Sequence, residues 1–166
     1  DCDVYNPRTF SGVAFYAYTA AVLGEEIPDE WWKIMRNTAE WSNRKMKPDG
    51  WYDWQCGEWE EGGCHTYLGN IYLGEAMLHY YLAAREAGRT DDAALAAQVC
   101  TRAFRYITDA CTVMGKRFEP PTEFWVGPYN YWLFELYRQV VTDDNTFADW
   151  QNVQKKFWVG RQWRDF

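Results

Sequence analysis

A chain of 166 residues is long enough for one domain with a real core, and an apolar content of 48% excludes a disordered polymer. A net charge of −7 argues against general affinity for nucleic acid or anionic membrane, which needs a basic footprint, and no apolar run approaches the ~18 residues of a membrane span. The unusual quantity is the aromatic content, 19%, with 11 Trp and 12 Tyr. Each Trp N–H and Tyr O–H wants a partner when buried, so this many rings points to a cleft or an interface as well as a core.

Helical periodicity dominates the chain from its start. The segment from about Thr9 to Leu23 is apolar nearly all round, and Gly24 ends it. Pro28 and Asp29 open a second helix, where Pro suits the first turn and an acid suits the dipole. It carries an amphipathic stripe of Trp31, Ile34, Met35, Thr38 and Trp41, and Pro48-Asp49-Gly50 stops it.

A long connection follows, and then a third helix from about Tyr67 to Ala87, again apolar almost all round and ended by Gly88. Thr90 caps a fourth, Asp91 to about Met114, that shows Ala93, Ala96, Ala97, Cys100, Phe104 and Ile107. A loop with Gly115, Pro120 and Pro121 leads to an aromatic fifth helix, about Pro128 to Val141, and Thr142-Asp143-Asp144 opens a sixth reaching towards Phe157. No segment reads as a strand.

An apolar helix, a short turn, an amphipathic helix and a long loop thus recur at a period of roughly 60–65 residues. Repeated helical hairpins of this kind predict an all-α chain, part of a solenoid or closed toroid with the apolar helices inside and the long loops on one face. We expect residues 1–166 to form one helical-hairpin domain, a piece of a longer chain or of a larger assembly. The chain opens on Asp1 rather than Met and shows no secretory leader, which reads as a processed or excised sequence.

The first long loop holds the densest set of chemical groups. Between Asp49 and Asn70 fall three Trp, two Tyr, two Cys, five carboxylates and His65, while no Lys or Arg occurs from Pro48 to Ala84. Glycoside hydrolysis needs two carboxylates, one kept protonated and one ionised, and apolar rings nearby raise the pKa of the acid. Asp53, Glu58 and Glu61 are the candidates, with Trp51, Trp54 and Trp59 as neighbouring rings. The bland alternative for each acid is a solvated loop position, and for each ring a plug against the helix ends. His65 is either a proton-transfer group or a cap for the third helix. His79, inside an apolar helix beside Tyr80 and Tyr81, reads as a satisfied interhelical histidine. Trp125, Tyr129 and Tyr131, where the second long loop runs into the fifth helix, complete a set of flat rings on which the C–H faces of sugars could pack.

Five cysteines fit no CxxC pattern. Cys56 and Cys64 could close a small disulfide loop in a secreted protein, whereas Cys100 and Cys111 lie about three turns apart on one helix, too far to pair, and read as buried thiols. Cys56, Cys64 and His65 form a set that zinc could use, but the spacing and flanking residues of toroidal Cys/Cys/His enzymes are absent, and no metal or cofactor is expected.

The stretches "NPRTFSGVAFYAYTAAVLG", "PDGWYDWQCGEWEEGGCHTYLGN" and "LGEAMLHYYLAAREAG" resemble parts of the (α/α) toroid carbohydrate-active enzymes, nearest to the alginate-lyase and heparinase-like group. The shared loop is a "DG…E…H-x-Y" pattern, here Asp49, Gly50, Glu58 or Glu61, His65 and Tyr67. The likeness in rhythm covers much of the chain, the motif about 25 residues, and a closed ring in those families needs more hairpins than this chain holds. The resemblance implies an oligo- or polysaccharide substrate, an extracellular or periplasmic setting, and β-elimination on a uronate by His65 and Tyr67. The charge pattern points elsewhere. Five acids with no adjacent base would repel an anionic glycan, since like charges at ~4 Å cost about 1 kcal/mol in water and more in a cleft. The expected function is therefore binding and carboxylate-assisted cleavage of a neutral or weakly charged glycan, with the lyase as one alternative. A non-catalytic, aromatic-rich assembly module or homo-oligomer is another.

Overall fold

A computed structural model describes residues 5–52, 66–113, 133, 136, 137 and 139–141. The chain is all-α: among the described residues there are four helices, α1 Tyr5–Leu23, α2 Asp29–Lys45, α3 Thr66–Glu86 and α4 Thr90–Val113, and no strand. It divides into two compact units, Asp1–Ile107 and Thr108–Phe166.

In the first unit α3 is the central element. Ile71, Leu73, Ala76, Met77, Leu78, Tyr80 and Ala83 are essentially without solvent contact, which accounts for a sequence that is apolar on every side. α1 packs along it through Phe10, Ala14, Ala17 and Ala20, and three of those four side chains are small enough to let the backbones approach closely. The Phe10 ring meets Tyr80 edge-on at 6.3 Å. α2 buries one stripe, Trp32, Met35, Ala39 and Ser42. Its acids Asp29 and Glu30 sit in the first turn and its bases Arg44 and Lys45 in the last, both favourable for the helix dipole. α4 buries Ala96, Val99, Cys100, Ala103 and Phe104, and the Cys100 thiol donates to the Gly74 carbonyl at 3.4 Å.

The two apolar helices, α1 and α3, end alike. Gly24 (φ +72°) donates to Ala21 O and Glu25 to Ala20 O. Gly88 (φ +69°) donates to Arg85 O and Arg89 to Ala84 O. These are the same paired-bond C-terminal motif, which satisfies two orphan carbonyls and calls for a residue comfortable at positive φ. Both apolar helices therefore stop in the same way before an amphipathic partner begins.

The helix bounds differ from the sequence expectation by a few residues. α1 starts at Tyr5 rather than near Thr9, because Pro7 is tolerated within a first turn. α2 ends at Lys45, before Pro48. In the second unit, positions 133, 136, 137, 139 and 140 are helical within the expected fifth helix, with Leu133 and Tyr137 fully buried. The expected sixth helix lies outside the described residues.

Candidate functional site

The loop that carries most of the candidate chemistry leaves α2 through a tightly specified turn. Lys47 N–H donates to Trp51 O and Gly50 N–H to Lys47 O, both at 2.8 Å, and Trp51 N–H donates to Asp49 Oδ1 at 2.9 Å. Met46 and Tyr52 close the turn as an isolated antiparallel bridge. Gly50 has φ +94°, and a Cβ there would lie 2.5 Å from the Arg102 carbonyl oxygen. The "DG" of the sequence motif is thus a turn: Asp49 spends its side chain on the backbone, and Gly50 supplies a conformation and a space that other residues lack.

Two polar side chains from other helices hold this turn. Buried Asn70, in the first half of α3, donates to Gly50 O at 2.8 Å and Ala103 O at 3.1 Å and accepts from Tyr52 N–H at 3.1 Å. Arg102 of α4 donates to Lys47 O at 3.0 Å and to both the backbone and side-chain oxygens of Asn43. It thereby satisfies carbonyls at the end of α2 that no helical N–H reaches. Sequence reasoning passed over both residues. The available signal was Asn70 itself, an amide in a helix apolar on every side, where an unpaired polar group would be costly.

Trp51 is the one predicted sugar-facing ring whose side chain is described. It is half-buried, the Lys47 ammonium lies 3.9 Å from its centroid, and its buried Nε1 has no hydrogen-bond partner among the described residues. Tyr67 lies in the first turn of α3, with its side chain outside the described residues. Asp53, Trp54, Glu58, Trp59, Glu61 and His65 lie outside them, as do Cys56, Cys64, Trp125, Tyr129 and Tyr131.

Beside the turn runs a groove of 460 Å³ between α1 and α2, lined by Thr9, Phe10, Val13, Ile34, Asn37, Thr38 and Trp41. No lining residue is charged. Trp41 lies at its α2 end near the loop, its ring 6.4 Å from Tyr52 and 5.6 Å from the Lys45 ammonium. Because α1 and α2 are antiparallel, the start of α1 and the end of α2 share this end of the hairpin, and the 53–65 connection begins there.

Two further polar clusters lie in the core. Asp92, with a side chain 2% exposed, accepts from Tyr80 Oη at 2.7 Å and pairs with Arg36 at 2.7 Å and Arg89 at 2.6 Å. The Arg89 guanidinium also lies over the Trp32 ring at 4.7 Å. Burial pushes the Asp92 carboxyl up, but hydrogen bonds from Arg89 and Tyr80 and the charges of both arginines outweigh it and leave the carboxyl below its ordinary value. Burial, then Asp92 beside it, raises the Tyr80 phenol. This cluster ties α2, α3 and α4 together and explains why an acid in the first turn of α4 is buried. The second cluster is His79, which shares a 3.0 Å hydrogen bond between Nδ1 and Ser11 Oγ and packs against Phe15 at 5.2 Å. Burial lowers its pKa, partly offset by the Ser11 bond. His79 is the satisfied interhelical residue the sequence suggested. Cys100 is fully buried, and burial raises its thiol well above the ordinary value. Among the described residues no three His, Cys, Asp or Glu side chains form a group that could hold a metal ion.

In comparisons with protein-family models, curated proteins and solved structures, the chain matches none.

Proposed function

We propose that this chain is a carbohydrate-active helical domain, part of an (α/α) toroid, that binds and cleaves a neutral or weakly charged glycan at the end of the hairpins where residues 53–65 begin. The observation that carries the reading is the uncharged groove with Trp41 at its loop end. A flat ring beside apolar walls suits the C–H face of a sugar, and the Thr9, Thr38 and Asn37 side chains offer hydroxyl and amide partners for its O–H groups. Trp51, in the turn that leads into the loop, extends the ring set. Asp53, Glu58 and Glu61 would then supply the acid and the base or nucleophile, and Trp54, Trp59, Trp125, Tyr129 and Tyr131 would complete the sugar-facing rings. An uncharged groove next to an acid-rich loop favours a neutral sugar over a uronate. The reading implies work outside the cytoplasm, where such polymers are met.

The test is tryptophan fluorescence against neutral and uronic-acid oligosaccharides, with reducing ends and unsaturated uronates assayed on the same samples. Saturable quenching by a neutral oligosaccharide with new reducing ends is the expected result. Trp41→Ala should weaken binding at least tenfold, and Asp53→Asn, Glu58→Gln or Glu61→Gln should cut turnover by about two orders of magnitude while leaving binding in place. Absorbance from unsaturated uronates, abolished by His65→Ala, would replace hydrolysis by elimination. No response to any glycan would end the proposal.

A further inference from the structure

Helix α1 has a face that the described residues leave largely open. Phe15, Tyr16, Val22 and Leu23 are between 53% and 67% exposed, with Phe15 touching His79 and Tyr16 touching Trp31 along the margins, in a helix whose mean character is as apolar as that of largely buried α3. From Thr9 to Leu23 the helix carries no charged residue, in a chain where a quarter of residues are charged. At 100° per residue, Gly12, Phe15, Thr19, Val22 and Leu23 form one stripe, opposite the Phe10, Ala14 and Ala17 line that packs on α3. The glycan groove occupies the flank between these two lines, on the α2 side. Soluble proteins rarely leave such a stripe to water without use.

The charges around the stripe are divided between its two ends. Glu25, Glu26, Asp29 and Glu30, all exposed, cluster at the tight turn that follows α1. Arg44, Lys45 and Lys47, also exposed, outnumber Glu40 and Asp49 at the opposite end, where α2 finishes beside the start of α1. We infer that the open face of α1 is a two-fold interface with a second copy of this chain, the two α1 helices lying antiparallel. A two-fold axis across the helix sets the acidic end of each copy beside the basic end of the other, twice over. The uncharged stripe lets the copies approach despite a net charge of −7 on each. Parallel packing of the same stripes would set like charges together at both ends.

Sedimentation velocity over a concentration series tests this directly on the full chain. The expected result is a reversible monomer–dimer equilibrium that weakens as salt rises, because the end charges act over about a Debye length of ~10 Å. Val22→Lys should weaken dimerisation at least tenfold with unchanged helical circular dichroism. It also lowers the net negative charge, so general repulsion cannot account for the loss. Glu25→Lys with Glu26→Lys should weaken it several-fold, as should Arg44→Glu with Lys45→Glu, and the four changes together should restore it. A chain that stays monomeric up to high micromolar concentration would overturn the interface. A dimer indifferent to Val22→Lys would overturn it as well, and failure of the combined charge reversal to rescue would overturn the antiparallel arrangement. None of these readouts depends on glycan binding.

Discussion

α1 and α3 are built alike and placed differently. Both are apolar on nearly every side, and both end at a glycine in the same hydrogen-bonded motif. α3 is enclosed by its neighbours and uses its few polar groups, Asn70, His79 and Tyr80, as fixed ties to other elements. α1 shares one side with α3 and leaves another open. Composition therefore states how much of a helix wants to be covered, and only the arrangement of neighbours states whether the rest of this chain covers it.

Substitutions in the two helices should separate them in order of cost. Leu78→Ala in α3 removes a fully buried side chain and should destabilise by about 3 kcal/mol in urea unfolding, whereas Val22→Ala on the open face of α1 should change monomer stability by less than about 0.5 kcal/mol. Equal costs would erase the distinction. Asp92→Ala should cost about 3 kcal/mol, at the low end for a buried ion pair because both arginines keep contact with water. The glycines inside the two helices should differ in sign. A Cβ at Gly74 would run into the Phe104 ring, so Gly74→Ala should destabilise by about 1–3 kcal/mol. A Cβ at Gly12 meets nothing within 4 Å, so Gly12→Ala should stabilise by about 0.5–1 kcal/mol.

The smallest expected effect is on pH dependence. His79 has a folded pKa below its unfolded value, so the unfolded chain takes up a proton first as pH falls below about 6.5, and stability declines from there towards the folded pKa. His79→Gln should remove that part of the slope and keep a partner for Ser11. Asp92 is also depressed, so its contribution is complete above about pH 4 and is lost as pH falls through its folded value. The two windows open at different pH, about 6.5 and about 4, and an unfolding series from pH 7 to pH 2 on wild type and His79→Gln distinguishes the α1–α3 contact from the α2–α3–α4 tie.

Four helices, and the stops of the first three, were legible in the sequence because they rest on local signals: apolar period, Gly24 and Gly88 as terminators, Pro48 after α2, and an acid at Asp29. What could not be read is the long-range use of polar residues. Asp92 stands in the first turn of α4, and nothing local pairs it with Arg36, 56 positions away. Arg102 carries no local signal either, yet it serves the carbonyls of Asn43 and Lys47. Asp49 and Gly50 were legible twice, as a helix stop and as part of a sugar-enzyme motif, and their hydrogen bonds and φ account for the first. Trp41 read as part of an amphipathic stripe, and its place at the groove became visible only once α1 lay beside α2.

The Arg102 and Asn70 ties also order events during folding. Local signals can start α2 and begin the turn after it, but the Tyr52 N–H and the Gly50 and Asn43 carbonyls gain the partners described above only when residues 18 to 59 positions farther along arrive. Contacts of that separation carry a loop-closure cost before they contribute anything. The turn that leads into the acid-rich segment therefore sets after α3 and α4 have docked. Arg102→Ala should leave the folding rate nearly unchanged and speed unfolding, the kinetic mark of a contact made on the native side of the barrier.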